Sequence, residues 1–433
     1  MKGFDVRSYL DHHDLLDYDV DGRLLLAGEP IESWRSVLPG PSIVHLPERA
    51  AANVRWYAAA FESLPGGVEV FYALKASYQT DVCAAIVESG AGLEVMSERE
   101  LRLATELGVT GNRLVINGLG RSASFTAASV DADPLFIVLD TVEDVHRTEA
   151  AARAAGRRVR VALRLARDAA TSAGPQDPGR LGFTWPEEFL AVADLVRAGD
   201  HLELTGLLAH DLHHCTDPEE VSVHLRHVVA VLRAADQQHG LRFQVLDIGG
   251  GLASRIRVER EGGLSRLVER VATELATLPY QPLVVCEPGR SLVSDAAVGL
   301  ASFVALKSRP AATWAITDLG TNYLVPVPGS DFVPVPLYWP PGAATTTFHL
   351  GDQSCTTSTL CRDVELPIGT REIAVLEAGA YTGVFAHAWG PSLPTVAVLA
   401  AGRLRPPRLP IQTAVEPFSL DPALPKPLLL APS

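Results

Sequence analysis

The chain has 433 residues, 47% of them hydrophobic and 20% charged, which supports a large core and excludes wholesale disorder. Its 37 basic and 51 acidic side chains leave a net charge of −14, so the chain repels phosphate backbones and general nucleic-acid binding is disfavoured. No apolar run reaches the roughly 20 residues of a membrane helix, the opening MKGFDVRSYLDHHDLLDYDV is too acidic for a secretory leader, and five scattered cysteines form no CxxC pair, so a soluble protein of the reducing cytoplasm is expected.

The first forty residues carry short strand-like pieces such as GRLLLAG and no long period. From Pro41 apolar runs alternate with helical stretches. The runs are SIVHL (42–46), VEVFYAL (68–74), GLEV (92–95), RLVI (113–116), PLFIVL (134–139), VRVALRL (159–165), LELTGLLA (202–209), FQVLDI (243–248) and PLVVC (282–286). Helices are expected over 98–107, 142–155, 185–198, 217–238 and 264–277, the first opened by a Ser97/Glu100 capping box. Continuous apolar strands separated by helices indicate a parallel sheet buried on both faces. About eight such units over roughly 250 residues is the size of a (β/α)8 barrel, expected over residues 41–291. After Leu292 helical periods fade and short β-branched runs dominate. Residues 292–433, joined by 1–40, are expected to form an antiparallel β domain of sandwich or barrel type. Eight prolines between Pro406 and Pro432 make the end an extended arm.

In a parallel barrel the reactive side chains collect at the C-terminal ends of the strands. FYALKAS puts Lys75 there, LLAHDL puts His210 there, LDIGGGL puts Gly249, Gly250 and Gly251 there, and VVCEPGR puts Glu287 and Arg290 there. Each has a bland reading: a solvated lysine, a satisfied core histidine, a tight turn, a local ion pair. Their shared rim argues otherwise. Lysine is also scarce, with only Lys2, Lys75, Lys307 and Lys426, so an amine-dependent chemistry has few candidates. The cluster His210, Asp211, His213, His214, Cys215 fits no compact metal motif, and no metal is expected. An amine, a glycine turn with backbone N–H donors, an arginine and a lone carboxylate together suit pyridoxal 5′-phosphate. That cofactor needs a lysine, phosphate donors and an acidic partner for its pyridine nitrogen.

With these motifs in this order the chain resembles the fold-type III pyridoxal-phosphate decarboxylases, the alanine-racemase-like barrel enzymes that include ornithine, arginine and diaminopimelate decarboxylases. The likeness runs from about Pro41 to Pro391. It implies that Lys75 of FYALKAS joins the cofactor and that Arg164 of VALRLARD lies near its ring. His210 of GLLAHDL would stack on that ring and Glu287 of CEPGRSLV would pair with its nitrogen. Gly249–Gly251, Arg290 and Tyr381 of EAGAYTGVF would hold its phosphate. GLEVMSEREL matches a further segment, with Glu94 where an aspartate is common.

The departures bear on the substrate. The family's H-x-G-S reads His210-Asp211-Leu212-His213, so His213 would replace a serine contact to phosphate. Cys355 aligns with the family cysteine that acts as general acid from the neighbouring subunit of a homodimer, and Thr359 then stands where an aspartate holds a distal substrate amine. In the competing alignment Cys361 is the acid and Asp363 the substrate contact. The resemblance thus implies an amino-acid decarboxylase whose substrate is not a standard diamine precursor. A racemase of the same fold, or a decarboxylase-like regulator without catalysis, is the rival reading. Glu287 argues against the racemase, and intact Lys75, Gly249–Gly251 and Arg290 against the regulator.

Overall fold

Nine apolar runs compete for eight barrel positions, and the first is the one left over. The computed structural model describes residues 6–167, 179–310 and 312–408. In it β1 (Ser42–His45) pairs with two strands of the C-terminal sheet and with none of the barrel. The expected barrel start at residue 41 is therefore corrected. The barrel's layers begin with the helix Pro47–Phe61, which Pro47 opens at its first turn.

The other eight runs form β2 (Val68–Ala73), β3 (Gly92–Val95), β4 (Leu114–Ile116), β5 (Phe136–Leu139), β6 (Val159–Arg164), β7 (Leu202–Leu208), β8 (Val245–Asp247) and β9 (Leu283–Cys286). They pair in sequence order, all parallel, and β9 closes on β2. The lumen is filled by Phe71, Val115, Phe136, Val138, Ala162, Leu208, Val245 and Val285, so the barrel is a packed core and not a pore. The expected helices appear as Glu98–Glu106, Val142–Ala154, Glu187–Ala198, Pro218–His239 and Leu264–Leu275. Ser97 caps the first by accepting from Glu100 N–H, and the Glu100 carboxylate reaches back to Met96 N–H.

The second sheet contains β10 (Ala297–Ser308), β11 (Thr313–Thr317), β12 (Val333–Pro336), β13 (Thr345–Asp352), β14 (Cys361–Pro367), β15 (Glu372–Leu376), β16 (Thr395–Ala400) and β17 (Arg403–Arg405), with β1 inside it. It is mixed: β11 runs parallel to β13 and β1 parallel to β16, and the other pairings are antiparallel. A separate apolar cluster, with Ile43, Val298, Leu300 and Val375 at its centre, fills it. The seam between the two cores is polar and tied. Arg49 meets Asp295 through Nε at 2.7 Å and Nη2 at 2.6 Å, and Asn53 donates to the same carboxylate at 2.6 Å. Past β17, Arg405 and Arg408 both bind Asp81, at 2.5 and 3.2 Å. The rest of the expected proline-rich arm lies outside the described residues. Among the described residues no helix is long and apolar enough to cross a membrane.

Candidate active site

The rim is built by hydrogen bonds that continue the barrel ladder one step past the strands. Ala209 N–H donates to Asp247 O, Ile248 to Val285 O, Glu287 to Gly249 O and Ala73 to Pro288 O, at 2.8–3.1 Å. The residues after these points therefore turn inward over the lumen. Lys75 sits in a single turn, Leu74–Ala76, whose last carbonyl accepts Tyr381 N–H at 2.8 Å. That bond brings a tyrosine of the C-terminal domain onto the barrel mouth.

Lys75, His210, His213, Gly250, Gly251, Glu287, Arg290 and Tyr381 line one cavity of about 320 Å³. Gly249 adjoins it, because its N–H is held by Asp247 Oδ1 and its neighbour Gly250 donates to His210 Nδ1 at 3.2 Å. The turn tolerates only glycine at its third position. Gly251 has φ +94°, and a Cβ there would fall 2.0 Å from Leu212 O.

Charge is sorted across the cavity. At one end Arg290 lies 5.0 Å over the Tyr381 ring, with His213 close by. Burial, then the charges of Arg290 and His214, keep His213 neutral below its ordinary pKa. At the other end Glu287 is buried and accepts from Asn117 Nδ2 at 2.9 Å. Between them Lys75 Nζ contacts Glu94 Oε2 at 2.6 Å. Desolvation pulls the Lys75 pKa down, but the negative charges of Glu94 and Glu287 outweigh it and hold it above the usual lysine value. His210 is held neutral, its pKa lowered to about 3 by desolvation and then by Lys75 and Arg164. An anion-binding end, a basic-nitrogen-binding end and a lysine between them fit a phosphorylated pyridine aldehyde, which carries the complementary groups in that order.

Three expected residues are elsewhere. Cys355 and Thr359 lie in the turn between β13 and β14, and Asp363 lies in β14. None of them lines the cavity of its own chain. Cys355 is exposed, Thr359 is half-buried and accepts from Arg362, and Asp363 is exposed with its N–H on His349 Nδ1 at 3.1 Å. Cys361 points inward, with Sγ on Phe332 O at 3.2 Å. Arg164 is also outside the lining and pairs with Asp140 at 3.4 Å, so its effect on His210 is electrostatic. Among the described residues no three His, Cys, Asp or Glu side chains are arranged for a metal ion.

Sequence reasoning missed Asn117, the contact of Glu94 with Lys75, and the cavity wall of Leu212, Val327, Pro328 and Phe385. The strand-end rule applied to RLVI would have found Asn117, the residue after β4. The loop holding Val327 and Pro328 carries no comparable signal.

A family model described as pyridoxal-dependent decarboxylase, pyridoxal binding domain, matches residues 51–294, more than half of the chain. The diaminopimelate decarboxylase of Zymomonas mobilis is 23% identical over 393 residues, covering 88% of this chain and 92% of that protein. That of Pseudomonas aeruginosa is 27% identical over 376 residues, covering 83% and 88%. The crystal structure of a diaminopimelate decarboxylase from M. jannaschii shares the fold, with a TM-score of 0.83 at 19% identity over 91% of this chain and 94% of that one. The chain belongs to the pyridoxal-dependent decarboxylases and is an amino-acid decarboxylase whose cofactor is pyridoxal 5′-phosphate.

Proposed function

Within this family, we propose that the chain decarboxylates an amino acid other than diaminopimelate, lysine or ornithine, at a site completed by a second copy of the chain. The observation that carries the substrate reading is the wall beyond the cofactor subsite. Leu212, Val327, Pro328 and Phe385 form it, and Glu287, buried below, is the one carboxylate among the lining residues described. This chain's own wall offers a distal ammonium no counter-ion. Thr359, where an acid would be needed, agrees with this. A second copy is invoked because Cys355, Thr359 and Asp363 do not reach the cavity of their own chain. Phe385, in the cavity wall, is also 50% exposed.

The bound cofactor supplies an electron sink for the pair left when carbon dioxide departs. Lys75 is the amine that joins it, and Glu94 Oε2, at 2.6 Å, takes and returns the Lys75 proton. Neutral His210 offers the ring an uncharged face. Glu287 opposes the ring nitrogen. Arg290, His213, Tyr381 and the N–H of Gly251 would hold the phosphate, with Gly249 and Gly250, whose N–H groups bond Asp247 and His210, shaping the turn and Arg164 supporting from outside the cavity. Cys355 of the second copy delivers the proton to the α carbon. Cys361 is the weaker candidate, since burial pushes its thiol up to about 12 and its Sγ already bonds Phe332 O.

A panel of amino acids scored by carbon dioxide release tests the substrate reading. An amino acid without a distal ammonium should exceed diaminopimelate by at least about tenfold in kcat/KM, and the opposite order refutes it. Mixing Lys75→Ala with Cys355→Ala protein tests the shared site. Random pairing should restore about a quarter of wild-type activity, and no restoration refutes it.

A further inference from the structure

Asp352, the last residue of β13, has no part in the reading above. It is 8% exposed and stands just before the turn that carries Cys355. Its carboxylate takes four donors from two segments. Oδ2 accepts Thr321 N–H and the Thr321 hydroxyl, both at 2.6 Å. Oδ1 accepts Ser354 N–H at 2.8 Å and the Ser354 hydroxyl. Two of these donors are backbone N–H groups, one from each segment, and such groups can only donate. An ionised carboxylate satisfies both at once.

The two segments differ in how firmly they are held. Thr321, Asn322, Tyr323 and Leu324 are all buried, and Asn322 Nδ2 donates to Pro391 O at 2.7 Å. Ser354 is half-buried, while Cys355, Thr356, Thr357 and Ser358 are exposed. Within that turn Ser354 Oγ lies 2.9 Å from Thr356 Oγ1, which accepts Ser358 N–H at 3.3 Å. Both chain neighbours of Cys355 are therefore tied, directly or through one hydroxyl, to a buried carboxylate. A reacting group misplaced by about 1 Å can lose about 100-fold in rate, so an exposed turn that carries one needs such an anchor.

We propose that Asp352 is the positioning residue of Cys355: it clamps the turn to the buried Thr321 segment and so sets where the thiol stands in the cavity of the second copy. This inference rests on the shared-site reading above. The Thr321 segment also continues to Val327 and Pro328, in the wall of the chain's own cavity. Action within one chain is thus the alternative, and the two differ in which copy must carry the carboxylate.

The experiment uses Asp352→Asn, which keeps the size of the side chain. Whichever way its amide faces, its NH2 group meets one of the two backbone N–H donors, so one side of the clamp opens. In carbon dioxide release kcat should fall about 10- to 100-fold, with KM within about threefold of wild type. In cofactor-free protein, amide hydrogen exchange of the peptide carrying Thr321 or of that carrying Ser354 should quicken at least about fivefold. Coexpression then locates the action. Asp352→Asn with Lys75→Ala should restore about a quarter of wild-type activity, because the Lys75→Ala chain brings an intact turn to the other chain's cavity. Asp352→Asn with Cys355→Ala should stay at or below the level of Asp352→Asn alone. The reverse pattern places the action of Asp352 in its own chain and overturns the proposal, as does an unchanged kcat or unchanged exchange in both peptides. Should Asp352→Asn not fold, Ser354→Ala, which removes one donor, should give the same pattern with a kcat loss of at least about fivefold, and a normal kcat overturns the proposal. If Lys75→Ala with Cys355→Ala recovers nothing, the shared-site reading falls and takes this proposal with it. Recovery in that pair with none in Asp352→Asn with Lys75→Ala overturns the proposal alone.

Discussion

Replacing Gly251 with alanine tests whether the glycine turn is a phosphate cradle or only a connection. The new Cβ would lie 2.0 Å from Leu212 O and 2.5 Å from its carbonyl carbon, and real Cβ contacts essentially never fall under 3.0 Å. The loop after β7 is stitched to this turn, with Cys215 N–H on Gly251 O at 2.9 Å, so Leu212 cannot retreat alone. Overpacking of this kind costs about 1–3 kcal/mol and the left-handed backbone, φ +94° here, about as much again. The turn moves, by about 1 Å, because that is cheaper than accepting the clash. One displaced N–H loses a charge-assisted bond to phosphate worth about 1.5–3 kcal/mol, which weakens cofactor binding about 10- to 100-fold. The assay is a titration of cofactor-free protein with pyridoxal phosphate, followed by visible absorbance. Gly240→Ala is the control. It has φ +62°, closes the helix Pro218–His239 and meets nothing within 4 Å, so only stability should fall, by about 1 kcal/mol. Cofactor affinity in Gly251→Ala within about threefold of wild type would refute the cradle.

Glu287→Gln keeps the size of the side chain and an acceptor for Asn117 but loses its charge. Cofactor should still bind while kcat falls by about 100-fold or more, measured as carbon dioxide release. Asp295→Ala leaves the buried Arg49 with Asp14 as its remaining partner and takes an acceptor from Asn53, and the first transition in denaturant should lose about 1–3 kcal/mol. His45 is buried, its Nε2 has no partner, and burial lowers its pKa to about 4 against the charge of Asp81. The unfolded chain then binds the extra proton between the two pKa values, so this group costs stability as pH falls through 6.5 toward 4. His45→Gln should therefore lose about 2 kcal/mol less than wild type between pH 7.5 and 5, by denaturant titration at each pH, a comparison in which any packing cost cancels.

Much of the barrel is legible because strands buried on both faces must read as continuous apolar runs, and Lys75, His210, Glu287 and Arg290 follow from the strand-end rule. Ser42–His45 escapes because a strand central to a mixed sheet is as apolar as one in a barrel. Periodicity carries no information about which sheet a strand joins. Asn117 acts through a single hydrogen bond to Glu287, and a contact across 170 residues has no local pattern to betray it. Cys355 and Thr359 are a different case. Their separation from Lys75 within one chain is invisible to motif order, which records sequence and not distance.

Reduction of the holoprotein with borohydride, followed by peptide mapping, tests the central claim most directly. The chain has four lysines, at positions 2, 75, 307 and 426, so the result is unambiguous. The account predicts one cofactor per chain on the peptide containing Lys75, and none in Lys75→Ala protein that still folds. Labelling of Lys2, Lys307 or Lys426 instead, or no labelling after reconstitution, would contradict it.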